Sequence, residues 1–496
     1  MSRQVVMRVV IAGGGTAGWT AAAALAQQLG PLLEITLVES DEIGTVGVGE
    51  ATIPTFRTFQ VLLGLDEREV MRATQATFKL GIKFENWSQL GHRYFHAFGD
   101  IGKSTWMGDF HNMWLMAKAR GFGGELGDYC FEHQAAEAGR FATSDKAQIN
   151  YAYHLDAGLY AHFLRKKFEP KGVRRIEGKI ERVEQDGESG YVTALVLQNG
   201  TRIEGDLFVD CTGFRGLLIE QTLGAGFDDW RHWLPTDSAL AVQTESTGRL
   251  PPYTRSIART AGWQWRIPLR HRVGNGLVFC STHQAEDEAR AELLGNLESR
   301  PLFEPRLIRY VTGRRRKAWH KNVVALGLAS GFLEPLESTS IHLIQIGVMR
   351  LMQLFPFEGN FESLAVRYNE QSHREFESIR DFLVLHYKLT EREDAPFWRD
   401  CGAMAIPDTL AARIELFLDS GYAFRGPHDL FVVASWLFVM VGQGLMPRHH
   451  HYMGALLGDE RLRRALESLS SKIERAVARL PRHEDFLNHY CPAADV

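Results

Sequence analysis

One proline-broken loop, residues 331–342, combines groups that could do chemistry. It reads Gly-Phe-Leu-Glu-Pro-Leu-Glu-Ser-Thr-Ser-Ile-His and follows an apolar run. Ser338, Thr339 and Ser340 all favour helix N-caps, and residues 341–349 have the spacing of the helix that would follow. The free amides of a helix N-terminus attract an anion. The loop is therefore predicted to hold an anion with a carboxylate close by.

A glycine turn near the start of the chain predicts a dinucleotide site. Residues 5–12 form a β-branched run, the glycines that follow have G-x-G-x-x-G spacing, and residues 20–29 are alanine-rich. A second strand, residues 35–38, ends at Glu39, which lies 39 − 18 = 21 residues after Gly18. That distance is typical of the acid that holds a ribose hydroxyl. The predicted cofactor-binding turn comprises Gly13, Gly14, Gly15, Thr16, Ala17 and Gly18.

Two later strand exits favour FAD over NAD. Residues 206–210 run into Cys211-Thr212-Gly213, and residues 323–326 run into Gly327-Leu328. Three strand-then-glycine exits spread along one chain are typical of flavoproteins whose dinucleotide fold is split by insertions. The predicted class is α/β, an FAD-binding Rossmann-type (glutathione-reductase-like) fold with inserted strands and a mainly helical substrate lobe.

Residues 78–85 alternate apolar and polar side chains, which is the pattern of a half-buried strand. Lys79 falls on the polar face beside Lys83. Because lysines are rarely buried, the pattern alone places Lys79 on a solvated face. Aromatic runs at 94–98 and 431–436 could stack a planar ligand, although packing in a core is the commoner explanation.

Composition and charge exclude several classes of function. The chain has 496 residues and a net charge of -4, and its basic run at 314–317 lacks interleaved aromatics, so nucleic acid is not an expected partner. No apolar run is long enough to span a bilayer, so a membrane is not an expected partner either. No linker divides the chain, which predicts two interleaved lobes. The FAD-binding lobe is expected from residues 1–90 plus about 151–360, and the largely helical substrate-binding lobe from about 91–150 plus 361–496.

The cysteines indicate a reducing compartment. There are five, an odd number, and none is in C-x-x-C spacing, which argues against a disulfide framework and a zinc site. The triplet at 449–451 lacks further ligands at a suitable spacing, so no metal is expected. Residues 1–4 lead straight into a strand-like run without an apolar signal segment. The expected localisation is the cytoplasm.

Five motifs together resemble the flavin-dependent tryptophan halogenases and their indole-halogenating relatives. After the glycine turn they are Gly-Glu-Ala at 49–51, Phe-Lys at 78–79, Trp-x-Trp-x-Ile-Pro at 263–268, Glu-Pro-Leu-Glu-Ser-Thr at 334–339 and Gly-x-Gly-Leu at 442–445. The match covers nearly the whole chain. The motifs at 263–268 and 334–339 are specific to this family among flavoproteins.

The resemblance implies an enzyme that uses FADH2, O2 and chloride or bromide. In it Lys79 is the catalytic lysine that holds hypohalous acid or carries the halogen, and Glu337 polarises that species or takes the proton from the ring. Backbone amides at Thr339 and Ser340 hold the halide. Other family positions carry over to the cofactor-binding residues Ala51, Ile180 (or Val183), Leu328 and Ile341, and to the substrate-binding residues His96, Phe98 and Trp436.

Two departures from the free-tryptophan enzymes concern the substrate and the halide. Those enzymes commonly have glycine where this chain has Ser340, and tyrosine or phenylalanine where it has His342. A positive φ at position 340 would cost serine more than glycine. Residues 426–433 also lack the tyrosine-rich, acid-containing stretch that grips the amino-acid end of tryptophan. An indole, a phenol or a larger electron-rich aromatic is therefore expected over free tryptophan.

The resemblance also implies partner proteins, and two alternative functions stay open. A separate NAD(P)H-dependent flavin reductase is expected, because the sequence has no second dinucleotide turn, and the resemblance suggests a homodimer. One alternative is a flavin-dependent aromatic monooxygenase, which would hydroxylate its substrate independently of halide. The other is a non-catalytic flavin-binding protein, against which the presence of both Lys79 and Glu337 argues.

Overall fold

The computed structural model describes residues 5–44, 50–104, 108–144 and 149–492. The stretches 1–4 and 47–49, on which two sequence arguments depended, lie outside these ranges. In chain order, strands β1 to β22 are Arg8–Ala12, Glu34–Glu39, Glu50–Ala51, Thr77–Lys79, Gly81–Glu85, Arg93–Ala97, Ala152–Leu155, Val173–Glu177, Ile180–Gln185, Val192–Leu197, Arg202–Glu204, Leu207–Asp210, Phe227–Asp229, Ser238–Glu245, Thr254–Arg259, Gly262–Pro268, Arg272–Phe279, Arg306–Arg309, Gly313–Arg315, Trp319–His320, Val323–Ala325 and Gly331–Phe332.

Residues 20–29 and 341–349 lie in helices, as the sequence predicts. Within the described ranges, no helix has both the length and the apolar character that a bilayer crossing requires. Helices α1 to α14 are Gly15–Leu29, Thr55–Leu62, Glu67–Ala73, Phe110–Ala119, Phe131–Glu137, Ala157–Phe168, Glu286–Gly295, Ser340–Gln353, Phe361–Lys388, Pro396–Ala403, Asp408–Ser420, Val433–Gly442, Asp459–Ala478 and His483–Tyr490.

The chain divides into two compact units, each built from three separate segments. Unit 1 comprises Met1–Ala76, Leu155–Asp237 and Arg309–Phe376, and unit 2 comprises Thr77–His154, Ser238–Ile308 and Glu377–Val496. The assignment of FAD binding to one lobe and substrate binding to the other stays a prediction.

Unit 1 contains the predicted Rossmann-type sheet. Its six strands have the order β20-β21-β12-β1-β2-β8, and β21, β12, β1 and β2 run parallel. Alternating positions of these strands, including Val10, Val38 and Phe208, pack into one core. Because the central strands are parallel, their carboxyl ends meet at one edge, where the three glycine exits lie. The predicted α/β class is confirmed.

Unit 2 is built around a seven-stranded sheet, β18-β14-β17-β16-β15-β5-β6. The tryptophans of the Trp-x-Trp motif lie in β16 and are buried. Strand β4 pairs antiparallel with β7 in another sheet, which sets Lys79 opposite Ala152 and Thr77 opposite His154. Strand β4 also depends on α14, since the Phe78 amide donates to Nε2 of buried His483 at 3.3 Å.

The β4 region should make the fold acid-labile. Burial lowers the pKa of His483 from 6.5 to about 4, and burial with the charge of Lys79 lowers the pKa of His154. Between these pH values the unfolded chain binds more protons than the fold, so stability is complete above about pH 6.5 and falls as pH drops toward 4. For His483 alone the loss is about 3 kcal/mol.

Chemical denaturation at several pH values measures this loss. His483→Gln should lose less stability than the parent protein between pH 6.5 and 4, because glutamine does not titrate. His449→Gln, at an exposed histidine, is the control and should behave like the parent. Equal pH dependence in all three proteins would contradict the prediction.

Candidate active site

The glycine turn forms a tight cradle between β1 and α1. Gly13 has φ +98, and a Cβ atom there would lie 2.4 Å from the carbonyl oxygen of Cys211 at the neighbouring strand exit. Only glycine allows this close approach. The turn leads into the N-terminus of α1, where backbone amides favour a phosphate. These features fit the pyrophosphate of FAD.

Glu39 closes the same cradle from the end of β2. Its Oε1 accepts from Arg175 Nε at 2.6 Å, and its Oε2 accepts from the indole of Trp19 at 3.3 Å. A Cβ atom on Gly14 would lie only 1.7 Å from Glu39 Oε2. The carboxylate is thus held in place beside the turn, and its predicted contact with a ribose stays a prediction.

Gly14→Ala should weaken FAD binding at least about tenfold, because overpacking of this kind costs roughly 1–3 kcal/mol. The added methyl group would push Glu39 out of the cradle. Flavin fluorescence titration measures the affinity. Gly30→Ala is the matched control, since Gly30 ends α1 with φ -48 and has open space around it. Equal FAD affinity of the two variants would contradict the prediction.

The other two exits complete this edge of the sheet. A Cβ atom on Gly327 would lie 2.9 Å from the Cβ of Ala17, so the third exit, which carries Leu328, abuts the first turn. Sequence reasoning did not single out the buried Asp210. The signal that could have found it is its position as an acid at the end of an apolar strand. Its carboxylate accepts hydrogen bonds from the backbone amides of Thr212, Leu218 and Ile219.

Three further predicted FAD contacts also belong to unit 1. Thr16 lies in the first turn of α1, Ala51 is in β3, and Ile180 begins β9 and packs against the core of unit 1. Beside Ala51, burial raises the pKa of Glu50 to about 7, and the charge of Asp156 contributes. A carboxyl group with this pKa is partly protonated at neutral pH.

The loop at 331–342 folds as a strand, a short 3-10 turn and the start of α8. Ser338 takes the left-handed conformation, with φ +60, whereas Ser340 is the first residue of α8. The cost expected for serine at position 340 therefore does not arise in this structure. The strained residue is Ser338, two positions earlier.

The loop carries two buried carboxylates, Glu334 and Glu337, which have different surroundings. Glu334 accepts from the hydroxyl of Thr236 at 2.7 Å, whereas Glu337 lies fully buried in the 3-10 turn. The buried hydroxyl of Thr339 has no hydrogen-bond partner among the described residues. An unsatisfied hydroxyl at the N-terminus of α8 fits a halide ion, because amides and hydroxyls donate to anions.

Two residues of α8 add to what sequence reasoning predicted. Gln345 is buried, and neither atom of its amide has a partner within the described ranges. His342 lies between Thr55 Oγ1 at 3.0 Å and Glu375 Oε1 at 3.1 Å. Burial opposes ionisation of Glu375, but His342 and Arg350 outweigh it and lower its pKa. The histidine that stands at position 342 in place of tyrosine or phenylalanine is therefore held by polar contacts within unit 1.

Lys79 in unit 2 is buried, so the solvated-face interpretation is wrong. Residues 78–85 do not form one strand. Leu80 interrupts the run by donating to Pro252 O at 2.7 Å and accepting from Phe98 N at 2.9 Å, which places Lys79 and Lys83 in different sheets. Lys83, which is partly buried, forms an ion pair with Glu137. The Nζ of Lys79 lies 5.1 Å from the centre of the Phe98 ring.

The predicted substrate residues share an aromatic cluster with Lys79. The His96 ring lies 6.2 Å from Phe98 and 5.5 Å from Phe382, and Phe382 meets Trp436 edge-on at 4.9 Å. Sequence reasoning missed Phe382 as the connecting ring. The signal in the sequence was helical spacing, since Phe382 lies four residues before His386 on one face of α9. Unit 2 thus brings Lys79, His96, Phe98 and Trp436 together, whereas Glu337, Thr339 and Ser340 belong to unit 1.

Arg413 braces the Trp436 side of this cluster. Its guanidinium lies 3.9 Å from the indole centre and donates to Asp429 Oδ2 at 2.6 Å. The Asp429 carboxylate also accepts from Ser378 Oγ at 2.9 Å and from Gly426 N at 2.8 Å. This acid is therefore bound internally.

Comparisons with known proteins agree with this geometry. The family profile "Tryptophan halogenase" matches residues 8–459. The tryptophan 6-halogenase SttH of Streptomyces toxytricini is 38% identical over 472 residues, which cover 88% of this chain and 89% of SttH.

Two solved structures are similar over almost their whole length. A flavin-dependent halogenase from Xanthomonas campestris is 56% identical with a TM-score of 0.97, covering 99% of this chain and 100% of that one. BrvH, a flavin-dependent halogenase from Brevundimonas sp., is 47% identical with a TM-score of 0.94, covering 98% and 99%. The chain therefore belongs to the tryptophan halogenase family of flavin-dependent halogenases.

Proposed function

We propose that this FADH2-dependent halogenase places chlorine or bromine on an indole-like or other electron-rich aromatic, and that Lys79 is the residue that delivers the halogen. The observation that carries the proposal is the burial of Lys79 beside Phe98. Fully buried lysines are rare, and buried ionisable side chains are concentrated at functional sites. When bound, reduced FAD supplies hypohalous acid from O2 and halide.

Thr339 and Ser340 are proposed to hold the halide. The N-terminus of α8 supports this role, together with the buried hydroxyl of Thr339. Amides and hydroxyls hold an anion without neutralising it, so the halide keeps its nucleophilic character. The preference between chloride and bromide is expected to depend on Ser340.

Lys79 and Glu337 are proposed to act on the halogen and on a proton, respectively. The ammonium group of Lys79 donates a hydrogen bond to hypohalous acid and so confines the electrophile beside the substrate ring. Glu337 takes the proton that the ring releases and stabilises the positive charge that develops on the ring. Both side chains are buried, which strengthens these interactions because water is excluded.

The substrate is proposed to lack the amino-acid end of free tryptophan. His96, Phe98 and Trp436 offer flat apolar faces for an aromatic ring. Asp429, the acid in the stretch before Trp436, is bound to Arg413, Ser378 and Gly426, so it is not placed to grip an ammonium group.

Flavin-dependent halogenases generally receive reduced flavin from a separate reductase. We propose an NAD(P)H-dependent flavin reductase as this partner, and a homodimer as the assembly. The five cysteines all lie within the described ranges and are buried thiols, not disulfides, which suits the proposed cytoplasmic location.

The test combines the protein with FAD, a flavin reductase, NADH, O2 and either bromide or chloride. Indole, tryptophan and phenol derivatives are screened by mass spectrometry. We expect halide-dependent products with the bromine isotope doublet, formed faster from indoles or phenols than from tryptophan. Hydroxylated products that form without halide would overturn the halogenase assignment, and a clear preference for tryptophan would overturn the substrate proposal.

A further inference from the structure

Three side chains of unit 2 form a cysteine, histidine and aspartate row outside the halogenation site. Cys280 Sγ lies 3.4 Å from His283 Nδ1, and His283 Nε2 lies 3.0 Å from Asp400 Oδ2. None of the three is among the residues proposed to bind FAD, halide or substrate. The row is assembled across 117 residues of sequence, which makes it invisible to a search for local motifs.

The backbone holds this row in place from two sides. Cys280 follows β17 directly, and the amide of His283 donates to the carbonyl of Cys280 at 3.0 Å, so a tight turn folds the imidazole back onto the thiol. The other side of the ring meets α10, where Phe397 packs edge-on at 5.6 Å and Asp400 accepts the hydrogen bond. The hydroxyl of Thr282 lies 3.2 Å from Sγ.

This arrangement suits activation of a thiol. Nδ1 of the neutral imidazole can accept the thiol proton while Nε2–H donates to Asp400, which fixes the tautomer and stabilises the imidazolium that forms. A thiolate beside an imidazolium is the reactive form of cysteine. The two ring nitrogens point to opposite sides, so the thiol and the carboxylate do not converge on one metal position.

Two other cysteines provide an internal contrast. Burial raises the pKa of Cys130, and the charge of Glu132 raises it further. Burial and the charge of Asp210 do the same to the pKa of Cys211. Both thiols are therefore held in the unreactive protonated form.

We propose that Cys280 is an activated thiol at which hydroperoxides form a sulfenic acid. His283 Nδ1 takes the thiol proton, and the sulfur attacks one peroxide oxygen. The S–O bond forms as the O–O bond breaks, and the departing oxygen takes the proton from His283 to leave as water or an alcohol. The sulfur loses two electrons and the peroxide gains two. Cys280 is only 4% exposed, which restricts the reaction to small oxidants.

The full-length protein with oxidised FAD, and without reductase, is treated with hydrogen peroxide and dimedone, and each cysteine is assigned by peptide mass spectrometry. We expect labelling of Cys280 well before Cys130 and Cys211, and none at position 280 in Cys280→Ser. Labelling of Cys280 no faster than that of Cys130 would overturn the proposal.

His283→Gln separates activation from access. At about pH 7 alkylation of Cys280 by iodoacetamide should slow about tenfold, and the slowing should shrink as the pH is raised to about 10, because hydroxide then replaces the imidazole as the base. Unchanged alkylation at pH 7, or equal slowing at both pH values, would overturn the proposal. Asp400→Asn, at a largely exposed residue, should show the same pH-dependent slowing to a smaller extent.

Discussion

Lys79→Met is expected to lower kcat for halogenation by about a hundredfold or more, the scale of losing a positioned proton donor. Methionine matches the length of lysine and fills the space beside Phe98, but it cannot donate to hypohalous acid. Product formation is measured with the best substrate from the screen, and release of hypohalous acid with a small halogen acceptor such as monochlorodimedone.

Lys83→Met is the matched control for this variant. Lys83 lies four residues later, in a different sheet, and pairs with the exposed carboxylate of Glu137 at 2.9 Å. Its halogenation rate should equal that of the parent. Equal activity of the two variants would remove Lys79 from the mechanism, whereas continued halogenation of the small acceptor by Lys79→Met would show that the lysine delivers the electrophile and does not form it.

Glu337→Gln is expected to lower kcat by about a hundredfold as well, with little change in FAD affinity. Glutamine keeps the shape of the side chain, but it neither accepts a proton readily nor stabilises positive charge on the ring. The loss should be largest for substrates whose rings are least electron-rich, because they depend most on this stabilisation. Rates for a series of substituted indoles measure the trend.

Glu334→Gln tests whether this effect belongs to Glu337 or to the loop. Glu334 lies three residues earlier, is equally buried, and accepts from Thr236 through an oxygen that glutamine also provides. We expect its kcat to stay within about threefold of the parent, because the hydrogen bond from Thr236 can persist. A drop as large as that of Glu337→Gln would assign the effect to the shape of the loop.

The sequence predicts this site best where the chemistry is local. The glycine turn and Glu39 lie within one strand-turn-helix-strand segment, so spacing alone predicted that they would lie together. The start of α8 was found in the same way, because cap residues act on their own helix. The positive φ at Ser338 was missed, since serine carries no signal for the left-handed conformation.

Burial of Lys79 could not be read from periodicity, because the cause is distant in sequence. The backbone of Leu80 forms hydrogen bonds with Pro252 and Phe98, whereas Lys79 pairs with Ala152. The alternation of apolar and polar residues therefore continues across the boundary between two sheets. Only the family resemblance singled this lysine out. Arg413, which packs on Trp436, and Asp400, which contacts His283, were missed for the same reason, because each lies on a different element from its partner.

The interleaving of the two units also fixes when the protein can fold during its synthesis. On the ribosome, β1 and β2 emerge first, but β1 lacks its other neighbour until β12, Leu207–Asp210, has been made, and β12 must wait for β21, Val323–Ala325. A nascent chain stopped short of Ala325 would thus expose the edge of a parallel sheet, which invites aggregation. Splitting the gene between β12 and β21 would divide one sheet between two polypeptides.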